Sequence, residues 1–100
     1  MPKVALCVRL KAKSGKEQEL KKFLEGALPL AIQEPNTPAW FALEFGRGSF
    51  GIFDAFPNEE GRQAHLNGPI AVALMAKADE LLAERPTIEE VDILAAKLPG

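Results

Sequence analysis

Apolar and polar positions alternate at the start of the chain. Val4, Leu6, Val8 and Leu10 point one way, and Ala5, Cys7, Arg9 and Lys11 the other. A period of two predicts a strand over 4–10. Ser14-Gly15-Lys16-Glu17 reads as a capping box with Ser14 at the N-cap. Leu20, Phe23, Leu24 and Ala27 then recur at helical spacing until Pro29, which removes a backbone donor and restarts the helix. Glu34-Pro35-Asn36-Thr37-Pro38 is a turn in which Asn36 suits left-handed backbone.

A second strand over 39–45 carries Trp40, Ala42 and Glu44 on one face and Phe41, Leu43 and Phe45 on the other. Gly46-Arg47-Gly48-Ser49 makes a hairpin connection to a third strand, 50–56. Asn58 caps the next helix, with Glu59 and Glu60 at its positive end. Asn67-Gly68 stops that helix, and Pro69 opens another that carries Ile70, Leu74, Met75, Ala78, Leu81 and Leu82 as core. A last strand spans about 88–95, by the same alternation of Val91, Ile93 and Ala95. The order is β-α-β-β-α-β, with the second helical part broken in two. It predicts an α+β, ferredoxin-like domain over 1–100 with a four-stranded antiparallel sheet and helices on one face.

Such a sheet should be polar on its open face. Here Ala5, Cys7, Trp40, Ala42, Gly51, Phe53 and Ala55 lie opposite faces that are also apolar. One hundred residues cannot supply a second helical layer, so a second copy of the chain is the expected cover. The expectation is a homodimer with its sheets packed face to face as a barrel.

Composition narrows the chemistry. The net charge of −2 provides no basic field for nucleic acid or anionic lipid. No apolar run approaches the ~20 residues of a membrane helix. Without an export signal, a chain with one cysteine is expected in the cytoplasm. One Cys and one His exclude structural zinc and iron–sulfur sites.

Three stretches are similar to the antibiotic biosynthesis monooxygenase (ABM) family of dimeric α+β barrels, in matching order and spacing. They are Val8 to Glu17, Glu34-Pro35-Asn36-Thr37 followed by Trp40, and Phe50 to Glu60 followed by Ala64-His65-Leu66. Ser14 stands where the family has a turn proline, and Asn36 where it has a turn glycine. The chain has no tyrosine, so no tyrosine-dependent relative lends it a role. The Asn–Trp–His set of haem-degrading relatives has no counterpart, because Trp40 lies on a strand.

The resemblance implies oxygenation of a quinol or phenol-like aromatic without metal or flavin. In that chemistry the substrate loses a proton and itself reduces molecular oxygen, which requires a base and a dry pocket. The alternatives are an isomerase or lyase using His65 and a carboxylate on a small carbonyl compound, and a non-catalytic ligand-binding or stress-related dimer.

Catalytic expectations fall on His65 and Asp54. His65 has the ordinary pKa of a neutral-pH base, and its other use is to fix the helix against the sheet. Asp54 sits mid-strand among apolar residues and needs a partner, for which Arg9 is the candidate. That pair would polarise a hydroxyl or carbonyl, or form an ion pair at the dimer seam. Trp40, Phe53 and Arg9 are the expected lining of a small apolar pocket between helices and sheet, near His65. Trp40 serves equally as core or dimer packing. Cys7 reads as a small buried residue, Glu44 as a rim charge, and Arg47 and Arg62 as rim cations or solvated side chains.

Overall fold

A computed structural model describes residues 2–99. Strands β1 (Val4–Lys11), β2 (Ala39–Gly46), β3 (Ser49–Phe56) and β4 (Thr87–Asp92) form one antiparallel sheet in the order β2-β3-β1-β4. Helices α1 (Glu17–Gly26), α2 (Leu28–Ile32), α3 (Glu59–Leu66) and α4 (Pro69–Leu81) cover one face. This is the α+β, ferredoxin-like arrangement read from the alternation, with each helical stretch split in two. None of the helices is long and apolar enough to cross a membrane.

Local chemistry explains most boundaries. Asn58 Oδ1 accepts from the Gly61 N–H at 2.9 Å and starts α3. Pro69 opens α4, and Pro29 lies in the first turn of α2. The capping box is not formed. Lys16, which makes no side-chain capping bond, occupies the N-cap of α1, and Glu17 Oε1 accepts from the Gly15 N–H at 2.9 Å. Gly15 is left-handed there, at φ 87°. Asn36 is not left-handed; among the described residues only glycines have positive φ. The final strand ends at Asp92 rather than Ala95, because Val4 and Asp92 are the last pair that β1 offers.

Register decides which face each side chain takes. Arg47-Gly48 closes the β2–β3 hairpin, with Gly48 at φ 77° and an irregularity between Glu44 and Gly46. Leu6, Asp54 and Trp40 therefore stand in one row on the helix side, and Cys7, Phe53 and Phe41 in one row on the open side. This corrects the expected faces of β2. Trp40 and Ala42 belong to the helix side, and Phe41, Leu43 and Phe45 to the uncovered one.

The core joins Val8, Leu10, Phe50 and Ile52 of the sheet to Leu20, Leu24, Leu74 and Leu81 of the helices. A smaller cluster holds Ala27, Ala31 and Ile70, and Trp40 packs against both. Met75, expected in the core, is 57% exposed. Of the hairpin phenylalanines Phe50 and Phe56 stand in the helix-side row and are buried, at opposite ends of β3.

Candidate functional site

Asp54 is 0% exposed, in the row between Leu6 and Trp40 and under the helices. A carboxylate there is costly unless paired. Its partner comes from α3, whose buried face is Gly61, Arg62 and His65. Gly61 lets that helix lie flush on the turn before β2, since a Cβ there would stand 3.2 Å from both Cβ and O of Asn36. The docked helix delivers His65 to the sheet, with its ring centroid 5.3 Å from that of Phe56.

The imidazole is held between two carboxylates. Nε2 lies 2.7 Å from Asp54 Oδ2, and Nδ1 lies 2.6 Å from Glu34 Oε1. Glu34 Oε1 also accepts from Thr37 Oγ1 at 2.9 Å. The three side chains are 8%, 1% and 17% exposed for His65, Asp54 and Glu34. Asp54 Oδ2 is taken up by this close contact with Nε2, whereas Asp54 Oδ1 and Glu34 Oε2 are buried without a partner.

Burial pushes the His65 pKa down. Asp54, and then Glu34, outweigh it and raise the pKa above the usual 6.5. The two carboxylates thus favour the imidazolium, with each ring nitrogen facing one of them. Two carboxylate oxygens of the cluster, Asp54 Oδ1 and Glu34 Oε2, are buried and face no partner, so each is a position that could take up a proton.

The other expected site residues divide between the faces. Trp40 is on the helix side with its Nε1 buried and unpartnered. Phe53 is half-buried on the open side. Arg9 is exposed there, its guanidinium carbon 4.7 Å from the centroid of the Phe45 ring. The expected Arg9–Asp54 pair does not form. β1 and β3 are neighbours, but Arg9 pairs with Gly51 and Asp54 with Leu6, on opposite faces. For the same reason Phe53 and Arg9 do not share a pocket with His65.

Two separate spaces replace the single expected pocket. A cavity of about 100 Å³ touches Glu34, Thr37, Gly61, His65 and Gly68. A groove of about 940 Å³ runs along the end of the sheet between Pro38, Ala39, Trp40 and Phe41 on one side and Ala96 and Leu98 on the other. Among the described residues no cluster of His, Cys, Asp and Glu is arranged to hold a metal ion.

Sequence reasoning missed Glu34, which it read only as part of a turn. Thirty-one positions separate Glu34 from His65, so only the shared family-like motifs connected them. It also misjudged Arg62, which is 6% exposed and donates from Nη1 to the carbonyls of Ala5 at 3.2 Å and Val91 at 3.3 Å. Those bonds pin α3 to β1 and the end of β4. Glu44 is half-exposed and sits 3.8 Å from Lys21, as a rim charge would.

The chain is similar over its whole length, and over 97% of the other, to the NE2512 protein of unknown function from Nitrosomonas europaea, at 62% identity and a TM-score of 0.98. A "putative antibiotic biosynthesis monooxygenase" from the same organism superposes with a TM-score of 0.82 at 16% identity, over 92% of this chain and 99% of that one. One of the same description from Caulobacter crescentus gives 0.78 at 18%, over 94% and 92%. At such identities the likeness is one of fold. No protein-family model and no curated protein matches the chain.

Proposed function

Because the chain belongs to the family of the Nitrosomonas europaea NE2512 protein and has the antibiotic biosynthesis monooxygenase-like fold, we propose that it oxygenates a small hydroxylated aromatic compound, a quinol or phenol, without metal or flavin. The observation that carries this reading is a buried proton-accepting cluster adjoining an aromatic groove through one side chain. Trp40 lines the groove and is the cross-strand neighbour of Asp54. The groove lies within the size range of small-molecule sites and is walled mainly by apolar residues.

In this reading the substrate ring lies against Trp40. Asp54 is the proton acceptor, because its Oδ1 faces no partner whereas both nitrogens of His65 are engaged. His65 holds the carboxylate in place and supplies the compensating positive charge. Loss of the hydroxyl proton leaves an electron-rich anion that reduces O₂ by one electron. The resulting radical pair combines into a carbon-bound peroxide. The peroxide takes back the proton held by Asp54, and loss of the ring C–H proton from the same carbon then breaks the O–O bond, leaving one oxygen atom as a quinone carbonyl and releasing the other, with both protons, as water. All four electrons come from the substrate.

The acting unit is a single domain over 1–100 paired with a second copy. The open face of the sheet supports that pairing: Phe41 and Phe45 are half-exposed on it, beside Leu43, Phe53 and Cys7. Phe41 also borders the groove, so a facing copy would close its outer side.

Oxygen uptake with a panel of hydroquinones and naphthols tests the activity. The expected result is one O₂ consumed per quinone formed, with Asp54→Asn lowering kcat at least ~100-fold in folded protein. Absence of uptake with every member of the panel overturns the oxygenase reading. The engaged nitrogens of His65 favour a second reading, a ligand-binding dimer in which the cluster is only a clamp. Aromatic binding that quenches Trp40 fluorescence without oxygen uptake would select it.

A further inference from the structure

We propose that Glu34 is a positioning residue: it holds the His65 ring as a doubly donating bridge between two carboxylates and locks the 34–37 turn onto α3. The role in turnover rests on the oxygenase reading; the placement of the ring does not.

The geometry carries the inference. A histidine with Asp54 as its sole partner could rotate about its Cβ–Cγ bond or present Nδ1 as a lone pair. Glu34 Oε1 at 2.6 Å from Nδ1 removes both freedoms. Thr37 Oγ1, 2.9 Å from the same oxygen, keeps the carboxylate turned toward the ring. The approach is built into both segments, since Gly61 has no side chain where α3 meets Asn36. Gly68, beside the same cavity, has none either; a Cβ there would stand 3.1 Å from the Ala64 carbonyl.

Other charges do not share the task. Asp54 from β3 and Glu34 from the turn are the charged partners within ion-pair distance of His65 among the described residues. Arg62 on the same helix is turned to Glu59, Glu90 and the carbonyls of Ala5 and Val91. From β1 the neighbour of Asp54 is Leu6, and α4 begins with Pro69 and Ile70. Lys77 and Glu80 of α4 pair with one another.

For turnover, the consequence is that His65 stays a cation through the proton transfer and Asp54 alone accepts. Glu34 does not border the groove, so its loss should act on kcat and leave KM unchanged.

The test uses the only histidine of the chain as its own reporter. Nitrogen NMR of the imidazole is followed from about pH 5 to 10 in wild type, Glu34→Gln and Glu34→Asp. Wild type is expected to hold protons on both ring nitrogens at pH 7. Glu34→Gln should lower the titration midpoint by at least about one unit, and Glu34→Asp, which keeps the charge at a greater distance, by less. A Glu34→Gln midpoint equal to that of wild type overturns the proposal. Should Glu34→Gln fail to fold, the wild-type spectrum and Glu34→Asp decide: an unprotonated Nδ1 at pH 7, or a Glu34→Asp midpoint equal to that of wild type, also overturns it. These spectra need no substrate, so the placement of the ring is tested even if no oxygen uptake is found.

Discussion

Replacing Asp54 with Asn keeps the shape of a fully buried side chain and removes its charge. His65 is then a buried cation with one carboxylate instead of two. Breaking a buried pair by deleting one partner costs about 3–5 kcal/mol. The lower end applies here, because Glu34 remains 2.6 Å from Nδ1 and the ring can shed its proton. About 3 kcal/mol in a chain of 100 residues corresponds to a fall in Tm of roughly 12–24 °C.

The pH dependence has a definite sign. The folded-state pKa of His65 is raised, so its interaction with the carboxylates stabilises fully below about pH 6.5 and is lost as pH rises through the folded-state value. The gap between wild type and Asp54→Asn is therefore widest near pH 6 and narrows toward alkaline pH. Urea unfolding of both proteins at one fixed concentration, from about pH 5.5 to 9, measures it. A gap below about 1 kcal/mol at pH 6, or one that widens with pH, would refute the buried-cation account.

Two further outcomes follow from the open face. Phe41→Asp places a charge among the exposed phenylalanines, and light scattering should find a single-chain mass of 10.8 kDa where wild type gives twice that; a wild-type mass of one chain removes the dimer. Gly51→Val should destabilise by about 1–3 kcal/mol in thermal unfolding, because its Cβ would stand 2.7 Å from the Val8 carbonyl and 2.8 Å from Phe45 Cε2; an unchanged Tm would mean that Phe45 does not lie across Gly51.

The fold was legible because its signals are local. Alternation in β1 and β3, the Asn58 cap and the prolines at 29 and 69 each fix an element from neighbouring residues alone. The errors fell where tertiary pairing decides. Both faces of β2 are apolar, so composition could not say which one the helices take; the register with Asp54 does. Met75 reads into one stripe with Leu74 and Leu81, but the buried face of α4 is Ile70, Leu74 and Leu81, and Met75, one position beyond Leu74, is turned outward. His65 and Asp54 were legible as a lone imidazole and a misplaced acid. Their pairing was not, because Arg9 on the neighbouring strand was the expected partner of Asp54 and only the register sets it on the other side. Glu34 was hidden by its setting, since an acid in a Pro-Asn turn reads as solvated.

A two-residue turn thus governs more than the hairpin. Side chains alternate along β3, so a slip of one position would send Asp54 to the open face and Phe53 into the helix layer. His65 would lose one carboxylate, Trp40 would lose its acidic neighbour, and an unpaired charge would stand in the face offered to a second copy. Gly48 holds the turn in left-handed backbone that a side chain would strain, and Gly51 holds Phe45 against β1 three residues later. The proton-accepting cluster and the apolar face therefore depend on the same register, and the turn that selects it lies at the far end of the hairpin from the cluster.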